Sequence, residues 1–259
     1  CRPFGSDGPD AVAVDDLLGG FAQQRRLVLA DRGAVAFVAE QSPAALLGLA
    51  VVRSLLVRGT DAFGLVGGLL LGDGTAHAAG ERCFGENYVQ EALDKIAALA
   101  DLRASIEWHL IGPLQSNKTR VVAEQFDWVH SVDRLKIAQR LSEQRPPGLP
   151  PLQVCLQVNI SGEASKSGFA SGEVAEVARA VAALPRLRLR GLMAIPEPAG
   201  DLDAQRAPHR ALRMLCEDLR REGLALDTLS MGMSADLEAA ILEGATMVRV
   251  GSAIFGQRG

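Results

Sequence analysis

The sequence predicts an α/β fold: one (β/α)8 barrel of TIM type, with an atypical first strand. Three observations predict it. The chain's 259 residues suit a single barrel domain. From residue 82 onward, short apolar runs alternate with segments of helical periodicity. Runs such as Val154–Ile160 are almost continuously apolar, the pattern of parallel strands covered by helices on both faces.

The strand-like runs, in order, are Arg82–Phe84, Glu107–Ile111, Trp128–Val132, Gln153–Ile160, Leu187–Ile195, Leu226–Ser230 and Met247–Val250. Between them, Val89, Leu93, Ile96 and Ala97 share a helical face, as do Leu135, Ile137 and Leu141, and then Val174, Val177, Val181 and Leu184. Seven units leave one strand of a (β/α)8 barrel to be found upstream. Nearly every run ends in polar or glycine residues: Gly85-Glu86-Asn87, Gly112-Pro113, Asn159 to Gly162, Ser230-Met231-Gly232 and Gly251-Ser252. A barrel gathers all these ends on one rim, where binding sites form.

Residues 1–75 read as an atypical segment that supplies the first strand and helix, and residues 76–259 as the remainder of the one barrel. Thirteen of the 27 glycines lie in the first 80 residues, and no lysine precedes Lys95. Arg26–Ala30 and Ala34–Ala39 are strand-like there and Pro43–Val57 is helical, with Ala34–Ala39 the expected substitute for the first strand. The abrupt change of composition also suggests a shifted reading frame or a substituted segment.

Composition narrows the function. A net charge of -4 without a basic run argues against a nucleic-acid surface. The longest uncharged stretches, Gln41–Val52 and Ala62–Gly72, are about half a membrane span, which needs ~20 residues. No basic segment leads into an apolar run and a small-residue cleavage site, so a secretory signal is not expected. Cys1, Cys83, Cys155 and Cys216 form no CxxC pair, so they read as reduced thiols of a cytoplasmic protein without a metal site. A small-molecule ligand and a monomeric state are expected.

Six strings carry a specific resemblance. They are Phe84-Gly85-Glu86-Asn87-Tyr88-Val89-Gln90-Glu91-Ala92, the run from Trp108 to Lys118, Ser165-Lys166-Ser167-Gly168-Phe169, Gly191-Leu192-Met193-Ala194-Ile195, Leu229 to Asp236, and Val248 to Gly256. In this order they resemble the pyridoxal phosphate homeostasis protein family, of the YggS or PROSC type. The resemblance implies an alanine racemase-like barrel that binds pyridoxal 5'-phosphate (PLP), with no established catalytic turnover and a role in vitamin B6 and amino acid pools.

It also implies site residues. Ser230, Met231, Gly232, Gly251 and Ser252 would take the phosphate, and close backbone approach at glycines beside helix N-termini agrees with that. Arg249 would face the pyridine nitrogen; a guanidinium only donates, so the ring would stay neutral and a weak electron sink. Asn87 and His109 would bond the ligand or orient its neighbours, and Lys166 would attract its phosphate or a substrate carboxylate. Lys95, Lys118 and Lys136 read as solvated.

One departure stands out. The family anchors PLP covalently through a lysine at the end of the first strand, in a Ser-Lys-x-x-Pro type segment. Here Glu40 falls at that place when Pro43 is aligned, and a carboxylate cannot bond an aldehyde. Binding without the anchor, binding through Lys166, and a degenerate chain that binds nothing all stay open. A racemase-type enzyme would need a lysine and an opposing tyrosine, and the single tyrosine, Tyr88, opens a helix.

Overall fold

The computed structural model describes residues 26–29, 77, 81–163, 166–233 and 235–250. Nine parallel strands appear among them: β1 Arg26–Leu29, β2 Cys83–Glu86, β3 Glu107–Leu110, β4 Trp128–Val132, β5 Leu152–Asn159, β6 Phe169–Ala170, β7 Leu187–Met193, β8 Thr228–Ser230 and β9 Met247–Val250. They run in the order β4-β3-β2-β1-β9-β8-β7-β5-β6, and a further β4–β5 pairing closes the ring. All strands but β6 lie in that closed ring, so the barrel predicted from sequence is present; β6 only flanks β5.

The missing strand is Arg26–Leu29. It pairs with β9 over four residues, from Arg26 with Met247 to Leu29 with Val250, and with β2 through Leu29 and Phe84. The expected substitute was the other run, Ala34–Ala39; it lies outside the described residues, as do the Pro43–Val57 helix and Glu40. Both runs have strand composition, so only the ladder on β9 and β2 distinguishes the one used.

Six α-helices are described: α1 Val89–Ala98, α2 Thr119–Gln125, α3 Leu135–Gln144, α4 Val174–Ala182, α5 Leu202–Arg221 and α6 Leu237–Leu242. Strand residues such as Phe84, Trp108, Leu110, Val129, Val154 and Leu156 are fully buried in the core that these helices help to cover. Asp201 caps α5 by accepting a 2.8 Å hydrogen bond from the Ala204 amide. Arg145, 3% exposed, sends Nη1 to the carbonyls of Ala123 and Phe126 and so satisfies the end of α2.

The buried face of α1 is Val89, Ala92, Lys95 and Ile96. Lys95 is therefore not solvated, as its charge suggested: its Nζ lies 2.6 Å from Glu86 Oε1, with the two side chains 2% and 3% exposed. The helix turns this lysine inward and leaves Ala97 exposed, because the carboxylate at the end of β2 has its ammonium partner there.

Candidate ligand site

The ends of β2, β3, β5 and β7 meet around a cavity of about 330 Å³. Asn87, Gly112, Gln157, Asn159, Lys166 and Ile195 are among its walls. The loops crowd closely: a Cβ on Gly112 would sit 2.0 Å from the Asn87 carbonyl oxygen, which explains a glycine after β3. Lys166 Nζ lies 2.9 Å from Glu163 Oε1 and 3.8 Å from Glu197 Oε1. The Glu163 and Glu197 carboxyls contact each other, which raises the pKa of Glu197; the same contact and the Lys166 ammonium lower that of Glu163.

Deeper in the barrel is a line of polar side chains. Arg249, on β9 and 2% exposed, donates from Nη1 to the carbonyl and hydroxyl oxygens of Ser230, each at 2.9 Å, and from Nη2 to the Ala194 carbonyl at 2.8 Å. Burial lowers its pKa to about 10, so the guanidinium remains a cation at neutral pH. Its Nε, also buried, has no acceptor among the described residues. Ser230 Oγ is 2.8 Å from His130 Nδ1, and His130 Nε2 is 2.9 Å from His109 Nδ1. Burial first, then the nearby His109 and Arg249, push the His130 pKa well below its ordinary 6.5, so it is neutral.

The predicted site residues fall into three groups. Asn87 and Lys166 share the rim cavity. His109 lies inside the barrel instead of at the rim, fully buried and stacked on Trp128 at 5.3 Å between ring centres. Ser230 and Arg249 join it through His130. Gly251 and Ser252 lie outside the described residues.

At Ser230-Met231-Gly232 the structure restricts what an anion could use. The Met231 amide donates to the Met247 carbonyl at 3.0 Å. Gly232 has φ 91°, and a Cβ there would meet Ala240 Cβ at 2.4 Å, so its glycine lets α6 pack on the loop. The expected helix N-terminus is also not directly behind the loop. α6 starts only at Leu237, and the Asp236 carboxylate before it accepts from the Met233 amide at 2.7 Å and pairs with His209.

His130 escaped the sequence reading. Its signal was a histidine in an otherwise apolar strand, on the same face as Trp128 by the two-residue period. Glu86 and Lys95 had no such signal, since neither names its partner.

A closed parallel barrel with a buried arginine on β9 and a pocket at its strand ends defines a (β/α)8-type barrel domain. A family model described as alanine racemase, N-terminal domain, matches residues 73–259. The pyridoxal phosphate homeostasis protein of Pseudomonas aeruginosa PAO1 is 69% identical over 183 residues, covering 71% of this chain and 77% of that one. PipY of Synechococcus elongatus PCC7942, solved with PLP bound, is 31% identical with a TM-score of 0.69, over 94% of this chain and 100% of that one. An alanine racemase of Corynebacterium glutamicum shares the fold at 17% identity and a TM-score of 0.59, over 93% of this chain and 58% of that one. The chain belongs to the pyridoxal phosphate homeostasis protein family.

Proposed function

We propose that this chain binds pyridoxal 5'-phosphate at the C-terminal rim of its barrel and serves vitamin B6 homeostasis as a cytoplasmic carrier, without turnover of a substrate. Arg249 carries this reading. Both of its Nη atoms are spent on protein oxygens, and its buried Nε–H has no acceptor among the described residues. A neutral pyridine nitrogen is such an acceptor. The bound cofactor supplies an aldehyde able to condense with amines, and a ring kept neutral by a donor is poorly suited to drawing electrons further.

The chain's own residues divide the remaining work. Arg249 orients the ring, Asn87 and Lys166 border the ligand's outer side, and Gly232, Gly251 and Ser252 hold the phosphate. With no lysine before Lys95, binding is noncovalent. Lys166 is already engaged by Glu163 and Glu197, which supports an electrostatic part for it rather than a covalent one. A racemase is disfavoured because the single tyrosine, Tyr88, is 54% exposed ahead of α1. The homeostasis names of the relatives support the same conclusion.

PLP titration of the purified chain, followed by visible absorbance and protein fluorescence, tests this. Saturable quenching that inorganic phosphate competes away is expected, with no pyridoxyl-lysine found by peptide mass spectrometry after borohydride reduction. Absence of saturable binding overturns the reading, and an adduct on Lys166 overturns its noncovalent part.

A further inference from the structure

The line of polar groups inside the barrel has a direction, and the direction follows from its arginine end. A guanidinium only donates, so Arg249 Nη1 takes Ser230 Oγ as an acceptor. Of the two described partners of that hydroxyl, Arg249 cannot accept, so His130 Nδ1 is the one able to take its proton, and we assign the bond in that direction. A neutral imidazole accepting at Nδ1 carries its proton on Nε2, and His130 passes it to His109 Nδ1. His109 in turn bears its proton on Nε2, which lies 3.6 Å from Glu107 Oε2.

We propose that His130, acting through the Ser230 hydroxyl, is the positioning residue that holds Arg249 in the pose in which its Nε–H meets the ring nitrogen of the ligand. This rests on the PLP reading above. A serine side chain has three rotamers and a freely turning hydroxyl; His130 selects the one that places Oγ against Nη1. His130 is itself held by His109, whose ring is fixed by stacking on Trp128 at an interplanar angle of 8°. The result is a rigid line from β3 and β4 across the barrel to β9. Barrel interiors that need only filling use branched apolar side chains, and buried polar groups add directional constraint.

Two substitutions separate positioning from filling. His130→Phe keeps the ring's volume and removes the acceptor for Ser230, whereas His130→Asn keeps an acceptor near the Nδ1 position and gives up volume. In His130→Phe the dissociation constant for PLP is expected to rise about tenfold. The nitrogen resonance of ring-labelled 15N-PLP should move toward its value in free solution. His130→Asn should stay within about threefold of wild type, since the charge-assisted contact survives. A histidine that only fills space gives the opposite order.

The ligand-free chain gives a second readout. The Arg249 Nε–H resonance should exchange slowly with water in wild type and His130→Asn, and quickly in His130→Phe. Ser230→Ala, which removes Oγ with little loss of volume, should reproduce the Phe result and replaces it if that variant does not fold. Wild-type affinity and an unchanged Nε–H in both His130→Phe and Ser230→Ala overturn the proposal. If wild type binds no PLP yet its Nε–H still answers to His130, the PLP reading fails and the positioning chain stands.

Discussion

Replacing Lys95 by Met tests the most buried charge pair among the described residues. The Lys95 ammonium and Glu86 carboxylate lie 2.6 Å apart, with side chains 2% and 3% exposed, between α1 and the end of β2. Methionine follows the same unbranched path as the lysine stem, so packing changes little while the buried carboxylate loses the Lys95 ammonium. Breaking a buried pair in this way costs about 3–5 kcal/mol. At roughly 2–4 °C per kcal/mol for a chain of this size, the melting temperature should fall by about 10 °C. Trp108 and Trp128, 1% and 2% exposed, report the unfolding by fluorescence in urea or on heating. Adding Glu86→Met removes the carboxylate as well and should recover most of the loss. PLP affinity should follow stability, because Asn87 is the next residue. A Lys95→Met protein that melts within about 1 °C of wild type would refute the reasoning.

Gly191→Ala places a Cβ 1.7 Å from the Thr228 carbonyl oxygen, so β7 and β8 must part; a loss of about 3 kcal/mol of unfolding free energy, read by urea denaturation, is expected. His130 is neutral in the folded protein and binds a proton near pH 6.5 when unfolded, so the unfolded state holds more protons below that pH and stability falls on acidification from there. His130→Phe should flatten this part of the stability profile between pH 6.5 and 5, a slope of about 1.4 kcal/mol per pH unit; equal slopes in the two proteins would contradict it. Cys155 and Cys216 are buried, and burial pushes their thiol pKa values up, that of Cys216 to about 11. A thiol reagent should label them only on unfolding, and rapid labelling of the native chain would show that this packing is wrong.

Parallel strands between helices leave a local mark, which is why Trp128–Val132 and Met247–Val250 were legible to the residue. Other strand ends moved. Gln153–Ile160 became Leu152–Asn159, and Leu226–Ser230 shortened to Thr228–Ser230, because a strand ends where its ladder partner ends. The rim cavity was partly legible: Asn87 and Lys166 were named and Asn159 was among the polar strand ends, but Gln157 was read only as strand. His109 was named for the rim and found inside, since its place in the pleat, not its closeness to the strand's end, sets where its ring goes.

By itself the sequence determined the barrel class, the order of its units and the family, because periodicity and contiguous motifs are properties of neighbouring residues. Tertiary structure decided the rest. It made Arg26–Leu29 a strand of the barrel, since a strand is completed by hydrogen bonds to β9 and β2 that its own composition does not contain. It buried Lys95 because Glu86 was there to receive it. It joined His130 to Ser230 across 100 residues of chain and set the Ser230 hydroxyl against the Arg249 guanidinium. Hydrogen bonds between such distant residues exist only once the barrel closes, and closure gives each buried polar group its partner.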